Sequence, residues 1–382
     1  MIIKKIGVES IQNSSKEPVI QIIIKTDKGS FTTSAPSGES RGKYEAPPYT
    51  KDLAKEVEFL KNLKLPEIFN FNDLKKVEEM VYEKVGANSL FALEASILKA
   101  LAKENKRELW QILEGKKKLP SLIGNAIGGG MHSKGINNKK PDFQEFLFIA
   151  GGKSIKECIE KNKRAYELAR KLLNSKDRDD EGAWKTDKTD EEVLEIMNKI
   201  QETMITEDKE IVIGIDCAAS SFYNQTYNYK NPQRELNQTQ QIGYIKNLMR
   251  KYGLFYIEDP LEENDFSGFA EISKERCFIA GDDLTVTNPE RLIEAIKMKS
   301  INAIIVKPNQ IGSLLKVKWV IDIANKYNIK TIMSHRAGET KDDTIADLAV
   351  AWGCDFIKTG IYGKEREAKL NRLIKIEKSL KR

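Results

Sequence analysis

Five carboxylates on three short apolar runs, with two lysines and a histidine on three more, stand at the ends of those runs in the second half of this 382-residue chain. "IVIGID" ends in Asp216, "LFYIED" in Glu258 and Asp259, and "FIAGDD" in Asp282 and Asp283. "AIIVK" ends in Lys307, "TIMSH" in His335 and "DFIK" in Lys358. Asp216, Glu258 and Asp282 form an all-oxygen ligand set, the kind Mg2+ takes while keeping positions for water and substrate. Scattered cysteines and only two histidines, His132 and His335, argue against zinc. A lysine beside a divalent cation and a second lysine is expected to have a depressed pKa and to serve as a base. A carboxylate-bound cation facing such a lysine suits removal of a proton α to a carboxylate, because the cation offsets the negative charge that develops. Any one of these residues is readily explained as a solvated loop charge; a series at successive strand ends is not.

The frame that must position them follows from the intervals. Roughly two dozen residues separate neighbouring members of the series from Glu258 onward, enough for one strand and one crossover helix. The helices between carry their own signals: Asn288-Pro289 is an N-cap followed by proline at the first helical position, and "PERLIEAIKMK" and "KVKWVIDIANKY" have helical periodicity. The expectation is a parallel α/β barrel with its chemistry at the strand C-termini. Upstream, "QEFLFIA" (Gln144–Ala150) reads as a strand. Ser154/Glu157 and Thr189/Glu192 read as capping boxes opening two helices, with the polar stretch Asn174–Lys188 between them. "KKKLPS" (Lys116–Ser121) reads as a linker. Before it lies a small α+β unit: strands Val19–Ile24 and Ser30–Ser34 joined by an Asp27-Lys28-Gly29 turn, a Gly/Ser/Pro-rich loop from Ser34 to Pro48, and helices over Lys51–Asn62 and Leu90–Glu114. Residues 1–115 are therefore expected to form an α+β capping domain, and 120–382 the catalytic β/α barrel.

A net charge of +6, spread along the chain, leaves no dedicated nucleic-acid surface, and no apolar run has the ~18–20 residues of a membrane span. Cys158, Cys217, Cys277 and Cys354 are far apart with no CxxC pair, as in a reduced, cytoplasmic protein.

Long ordered segments carry a resemblance: "APSGESRGKYEA", "KVGANSLFALEAS", "QEFLFIA", "GIDCAASSFY", "YIEDPLEENDFSGF", "AGDDLTVTNPERL", "NAIIVKPNQIGSL", "SHRAGETKDDTIADLAV" and "IKTG…KEREAKLNRLIKIE". Over most of its length the chain resembles the enolase (phosphopyruvate hydratase) family. The resemblance implies an α/β fold, an enolase-type β/α barrel as C-terminal domain behind the smaller α+β domain. It implies a Mg2+-dependent lyase of glycolysis and gluconeogenesis that interconverts 2-phosphoglycerate and phosphoenolpyruvate, acting as a homo-oligomer, a dimer or higher. By the same resemblance Asp216, Glu258 and Asp282 match ligands of a first Mg2+, and Ser40 a ligand of a second that arrives with substrate. Lys307 matches the base, Lys358 the group that holds the substrate carboxylate, and Glu181 with its neighbour Glu145 the acid that assists departure of the hydroxyl. His335 and Arg336 match substrate contacts, Arg336 on the phosphate, and His132 a histidine of a loop that closes over the site. Asp259, Asp283, Gln310 and Glu339 are expected to orient these groups.

The chain departs from the family pattern in its loops. "SGESRG" places Glu39 and Arg41 beside Ser40, "GGGMH" precedes a longer segment to Glu145, "DEGA" follows Asp179, and "SSKEPV" (Ser14–Val19) replaces the usual N-terminal segment. Ala337 replaces a serine that contacts the phosphate. Two other readings follow: a paralogue using the same half-reaction on a different 2-substituted 3-hydroxy acid, or a catalytically weak scaffold that has kept the fold.

Overall fold

Alternating apolar residues open the chain: in KIGVESIQ, Ile6 and Val8 are buried on one face of Lys5–Gln12 (β1). The structure, a computed structural model, describes residues 1–38, 42–50, 52–133 and 139–381. β1 pairs antiparallel with Pro18–Thr26 (β2), which pairs with Gly29–Ser34 (β3). Helix Ala87–Glu104 packs on this sheet, and Ser96 Oγ donates to the carbonyl of Ile22 at 3.0 Å. The helical run expected over Leu90–Glu114 is broken. Lys106 takes a φ of 53°, which no α-helix continues through, and a short helix Leu109–Ile112 follows. The first helix spans Leu53–Asn62 because the Asp52 side chain caps it, accepting from Lys55 N at 3.0 Å. Lys51, its expected start, lies outside the described residues.

The second unit is a ring. In chain order its strands are Ser121–Gly128 (β4), Glu145–Ala150 (β5), Val212–Asp216 (β7), Tyr256–Glu258 (β11), Phe278–Gly281 (β12), Ala303–Val306 (β13), Lys330–Ser334 (β14) and Phe356–Lys358 (β15). Pairing of β15 with β4 closes these eight strands into a barrel. The two-residue strand Trp184–Lys185 (β6) extends the sheet beyond β4, and a separate hairpin sheet holds Tyr223–Asn224 (β8), Thr226–Lys230 (β9) and Gln233–Leu236 (β10). One expectation needs correction. The barrel is not wholly parallel, because β5 runs antiparallel to both β4 and β7. The β4–β5 connection contains no crossover helix among the described residues, so the chain returns in the opposite direction.

Side-chain parity divides the core in two. Ile123, Leu147, Ile149, Tyr256, Ala280, Ala303, Ile305 and Ile332 pack together inside the ring. Their strand neighbours, such as Phe146, Phe148, Ile257, Ile304 and Met333, belong to the larger core shared with the surrounding helices. Those helices begin where the sequence signals them: Ser154 accepts from Glu157 N, Thr189 and Glu192 form a reciprocal box, and Asn288 caps a helix with proline in its first turn.

The first unit sits on the rim beyond β13 and β14. Ser37 bridges Gly338, Asn309 Nδ2 donates to the Pro36 carbonyl at 3.1 Å, and a Cβ on Gly312 would lie 2.7 Å from Ala87 Cα. Glu94, fully buried on the long helix, accepts from Leu314 N at 2.6 Å, at the start of helix Leu314–Lys326. Burial, and then the nearby Glu78 carboxylate, pushes the Glu94 carboxyl well above its ordinary value. Folded Glu94 thus retains a proton that the unfolded chain releases, so its contribution becomes more destabilising as pH rises above the ordinary carboxylate range. The stability of Glu94→Gln relative to wild type, measured by urea denaturation, should grow as pH rises above the ordinary carboxylate range, by ~1.4 kcal/mol for each pH unit over which only the unfolded carboxyl is ionised.

Candidate active site

Strand parity aims the charged residues before any of them makes a contact. Phe278 and Ala280 point into the ring, so Asp282 two residues on does too; Ala303 and Ile305 do the same for Lys307. Tyr256 precedes Glu258, Phe356 precedes Lys358, and Val212 and Asp216 share a parity. Because β5 is reversed, its first residue, Glu145, joins the rim that the other strands reach with their last; it pairs with Asp216 across the ladder. Within the ring of eight, β5 and β13 are four strands apart. Glu145 and Lys307 therefore face each other across the mouth.

The lysines are held by the acids. Lys358 Nζ lies 2.9 Å from Glu145, 3.2 Å from Asp216 and 2.8 Å from Glu258, and all four side chains are at most 4% exposed. Lys307 Nζ is paired with Asp282. Burial opposes the charge on both lysines, but Asp282 outweighs it at Lys307 and Glu145 with Glu258 outweigh it at Lys358, so both ammonium groups are held above their ordinary range. A depressed lysine pKa, the expectation from sequence, is therefore not produced by the side chains alone. Counter-charge on the same carboxylates is what would lower it.

Around these pairs, three of the four residues expected to orient them bond through their side chains. Asp259 accepts from the backbone amides of Asp282 and Asp283 at 3.1 and 2.7 Å, Gln310 donates to Asp282 at 3.0 Å, and Glu339 accepts from Arg336 N at 3.2 Å. Tyr256, absent from the sequence reading, donates its hydroxyl to Glu258 at 2.7 Å. Gly214 makes room for that ring, since a Cβ there would meet Tyr256 at 2.8 Å. As a Tyr two residues before a Glu on one strand, it had a sequence signal: the same inward face.

Glu181 is no solvated loop charge. The bonds of Asp179 to the amides of Glu181 and Ala183, at 3.0 and 2.8 Å, and the pairing of β6 with β4 fold it inward to 4% exposure. It receives Asn125 Nδ2 at 3.1 Å and stands 3.9 Å from His132 Nδ1 and 3.7 Å from His335 Nε2. Burial holds both imidazoles below their ordinary range, so they meet Glu181 uncharged. Burial and then Glu181 raise the Glu145 carboxyl well above its ordinary range, against Lys358. His132, Glu145, Glu181, Lys307, His335 and Arg336 line one cavity, together with Ala337. Neither ring nitrogen of His335, 2% exposed, has a hydrogen-bond partner in the protein. A buried imidazole left in that way points to a polar ligand in the cavity.

The donor set fits a divalent cation. Glu145, Asp216, Glu258 and Asp282 pair with two lysines and Glu181 is buried nearby, so the acids outnumber the lysines. Burial and then Asp216 push Glu258 up to about 8, and its Oε1 is buried without a partner. Among the described residues, ligand atoms of Asp259, Asp282 and Asp283 lie within 4.8 Å of one another, as do those of His132, Glu145 and Glu181. Asp216, Glu258 and Asp282 do not meet so closely, because Lys358 spans the first two and Lys307 holds the third. Ser40, Glu39 and Arg41 lie outside the described residues. Arg336, 4% exposed, is gripped by Glu45 of the capping unit. Glu45 and Arg366, whose NH2 donates to the Ala337 carbonyl at 2.8 Å, were given no role in the sequence reading.

Fold and site define a class: a β/α-barrel enzyme with an acidic, cation-competent rim at the strand C-termini. The family model for the enolase C-terminal TIM barrel domain matches residues 116–382. An enolase of Methanocorpusculum labreanum is 37% identical, covering 98% of this chain and 98% of the relative. Enolases of Picrophilus torridus and Methanothermobacter thermautotrophicus are 36% and 34% identical, covering 99% of this chain and 99% and 97% of their own. The chain belongs to the enolase family. It is a lyase of the phosphopyruvate hydratase type, a family that implies a divalent metal. No helix among the described residues is long and apolar enough to cross a membrane.

Removing Lys358 would leave three buried carboxylates without their shared cation. Lys358→Ala should lose about 3–5 kcal/mol of stability in chemical denaturation, and millimolar Mg2+ should restore part of it by neutralising the same oxygens.

Proposed function

We propose that this chain reversibly dehydrates 2-phosphoglycerate to phosphoenolpyruvate in a Mg2+-dependent reaction, with residues 120–382 as the catalytic barrel and residues 1–115 as its cap. The observation that carries this reading is the diametric placement of Lys307 and Glu145 across one cavity, since elimination of water calls for a base and an acid on opposite faces of the substrate. Lys307 takes the proton α to the carboxylate, and that C–H electron pair becomes the new C=C bond as the hydroxyl leaves the adjacent carbon. Glu181 and Glu145 act as the acid pair on the departing oxygen: the proton comes from Glu145, whose carboxyl is held well above its ordinary range while that of Glu181 is held well below, so water is released. Lys358 holds the substrate carboxylate. Arg336 holds the phosphate through its planar fork of donors. His335 and His132 offer neutral ring nitrogens to the substrate from the cavity wall.

Asp216, Glu258 and Asp282 are the proposed ligands of one Mg2+, and Ser40 of a second that binds with substrate. When bound, the cations supply positive charge to the substrate carboxylate as it gains negative charge. Asp282 holds Lys307 as an ammonium; positive charge beside that carboxylate would weaken this hold and let Lys307 act as a base. Four buried free cysteines support a reducing, cytoplasmic setting.

A second reading rests on Ala337, whose methyl group lines the cavity where the family pattern has a hydroxyl. On that reading the same half-reaction acts on another 2-substituted 3-hydroxy acid.

Purified protein with Mg2+ and 2-phosphoglycerate should develop the ultraviolet absorbance of the enol phosphate, and Lys307→Ala should lower kcat by roughly 10²–10⁴-fold. No signal above the Lys307→Ala background would defeat the first reading. If 2-phosphoglycerate is the true substrate, Ala337→Ser should change kcat/KM less than about tenfold; a larger gain, corresponding to more than ~1.4 kcal/mol, would favour the second reading.

A further inference from the structure

The contact between Arg336 and Glu45 connects two ends of the cavity that no single strand joins. Arg336 NH1 and NH2 meet the Glu45 carboxylate at 3.0 to 3.1 Å, and the Glu45 side chain is 8% exposed although it comes from an irregular segment of the capping unit. That carboxylate is itself held in place. Its Oε1 accepts from Gly42 N at 3.2 Å and from Gln310 Nε2 at 3.3 Å, and the next residue, Ala46, donates its amide to the Gln310 carbonyl at 2.9 Å. Gln310 Nε2 also donates to Asp282 Oδ1 at 3.0 Å, while its Oε1 accepts from Thr287 at 2.6 Å. Thr287 Oγ1 in turn accepts from Lys307 N at 2.9 Å. A buried path of charge-assisted and amide hydrogen bonds thus runs from Arg336 through Glu45 and Gln310 to Asp282 and the backbone of Lys307.

We propose that Glu45 is a positioning residue that couples the phosphate end of the site to its cation end. By fixing the guanidinium fork of Arg336 with one carboxylate and sharing Gln310 with Asp282, it makes the orientation of each end depend on the other. The inference rests on the proposed function in taking Arg336 as the phosphate contact and Asp282 as a cation ligand.

The test reads binding apart from turnover. Thermal stabilisation is measured for the full chain with Mg2+ alone, inorganic phosphate alone and both together, in wild type, Glu45→Gln and Gln310→Leu. In wild type, phosphate should tighten Mg2+ binding, and Mg2+ should tighten phosphate binding by the same factor, as linkage requires. In Glu45→Gln that factor should fall at least about fivefold, toward the value of direct charge attraction alone. Gln310→Leu should weaken the coupling as well while leaving the Arg336–Glu45 ion pair in place. In parallel, Glu45→Gln should lower kcat by roughly 10–100-fold through misorientation, and should raise both KM and the Mg2+ concentration for half-maximal activity. Coupling that persists undiminished in Glu45→Gln would overturn the proposal, as would a fall in Tm with coupling and kinetics unchanged, which marks a merely structural residue. Coupling that falls in Glu45→Gln, in a protein that leaves 2-phosphoglycerate unchanged, would uphold the role of Glu45 and defeat the functional reading alone.

Discussion

Buried charge at the barrel mouth is the constraint around which the rest is arranged. Lys358 is 2% exposed and lies within 3.2 Å of three carboxylates drawn from β5, β7 and β11. An ammonium group removed from water costs several kcal/mol unless it is paired, and so does each carboxylate. The pairing works only because the ring brings four strands' inward residues to one level, and because Gly214 and the Tyr256 hydroxyl shape and complete the Glu258 pocket. Even so, the acids outnumber the lysines. The barrel tolerates this local excess because its strands are secured elsewhere, by an apolar layer inside the ring and a larger core outside it. The excess that costs stability is the feature that makes the rim attractive to a divalent cation.

Reversal of a single strand gives the cavity its two sides. A wholly parallel ring would place the first residue of β5 at the far end of the barrel, some strand-length away from every other charged group. Running antiparallel, β5 delivers Glu145 to the working rim opposite Lys307, and β6 then brings Glu181 alongside by docking on β4. The two histidines complete that side as neutral groups facing Glu181.

The capping unit contributes more than cover. Ser14 donates to the Ala337 carbonyl and accepts from Glu339 N, Ser37 bridges Gly338, and Glu45 pairs with Arg336. The loop after β14 is therefore shaped by residues from both units. Gly38 shows how close the approach is: a Cβ there would fall 1.8 Å from the Arg336 guanidinium. Ala337 is fixed through its backbone, by Ser14 and Arg366, so its lost hydroxyl leaves the loop's path supported and alters only the surface offered to a ligand.

Much of this was already present in the order of the residues. Apolar runs ending in Asp216, Glu258, Asp282, Lys307 and Lys358 at barrel-unit intervals define both the ring and its inward face, because side-chain parity is a local property of a strand. The caps at Thr189 and Asn288 are equally local and appear where the sequence signals them. Other features were decided by tertiary structure. The direction of β5 depends on what it pairs with, which its own residues do not encode. Glu181 sits in a polar stretch whose fold comes from bonds to Asp179 and β4, and Glu45 acquires its meaning only from an arginine 291 residues away. The charge state of the lysines is decided in the same way: pKa depends on which charges stand within a few ångströms, and those neighbours come together only when the ring closes.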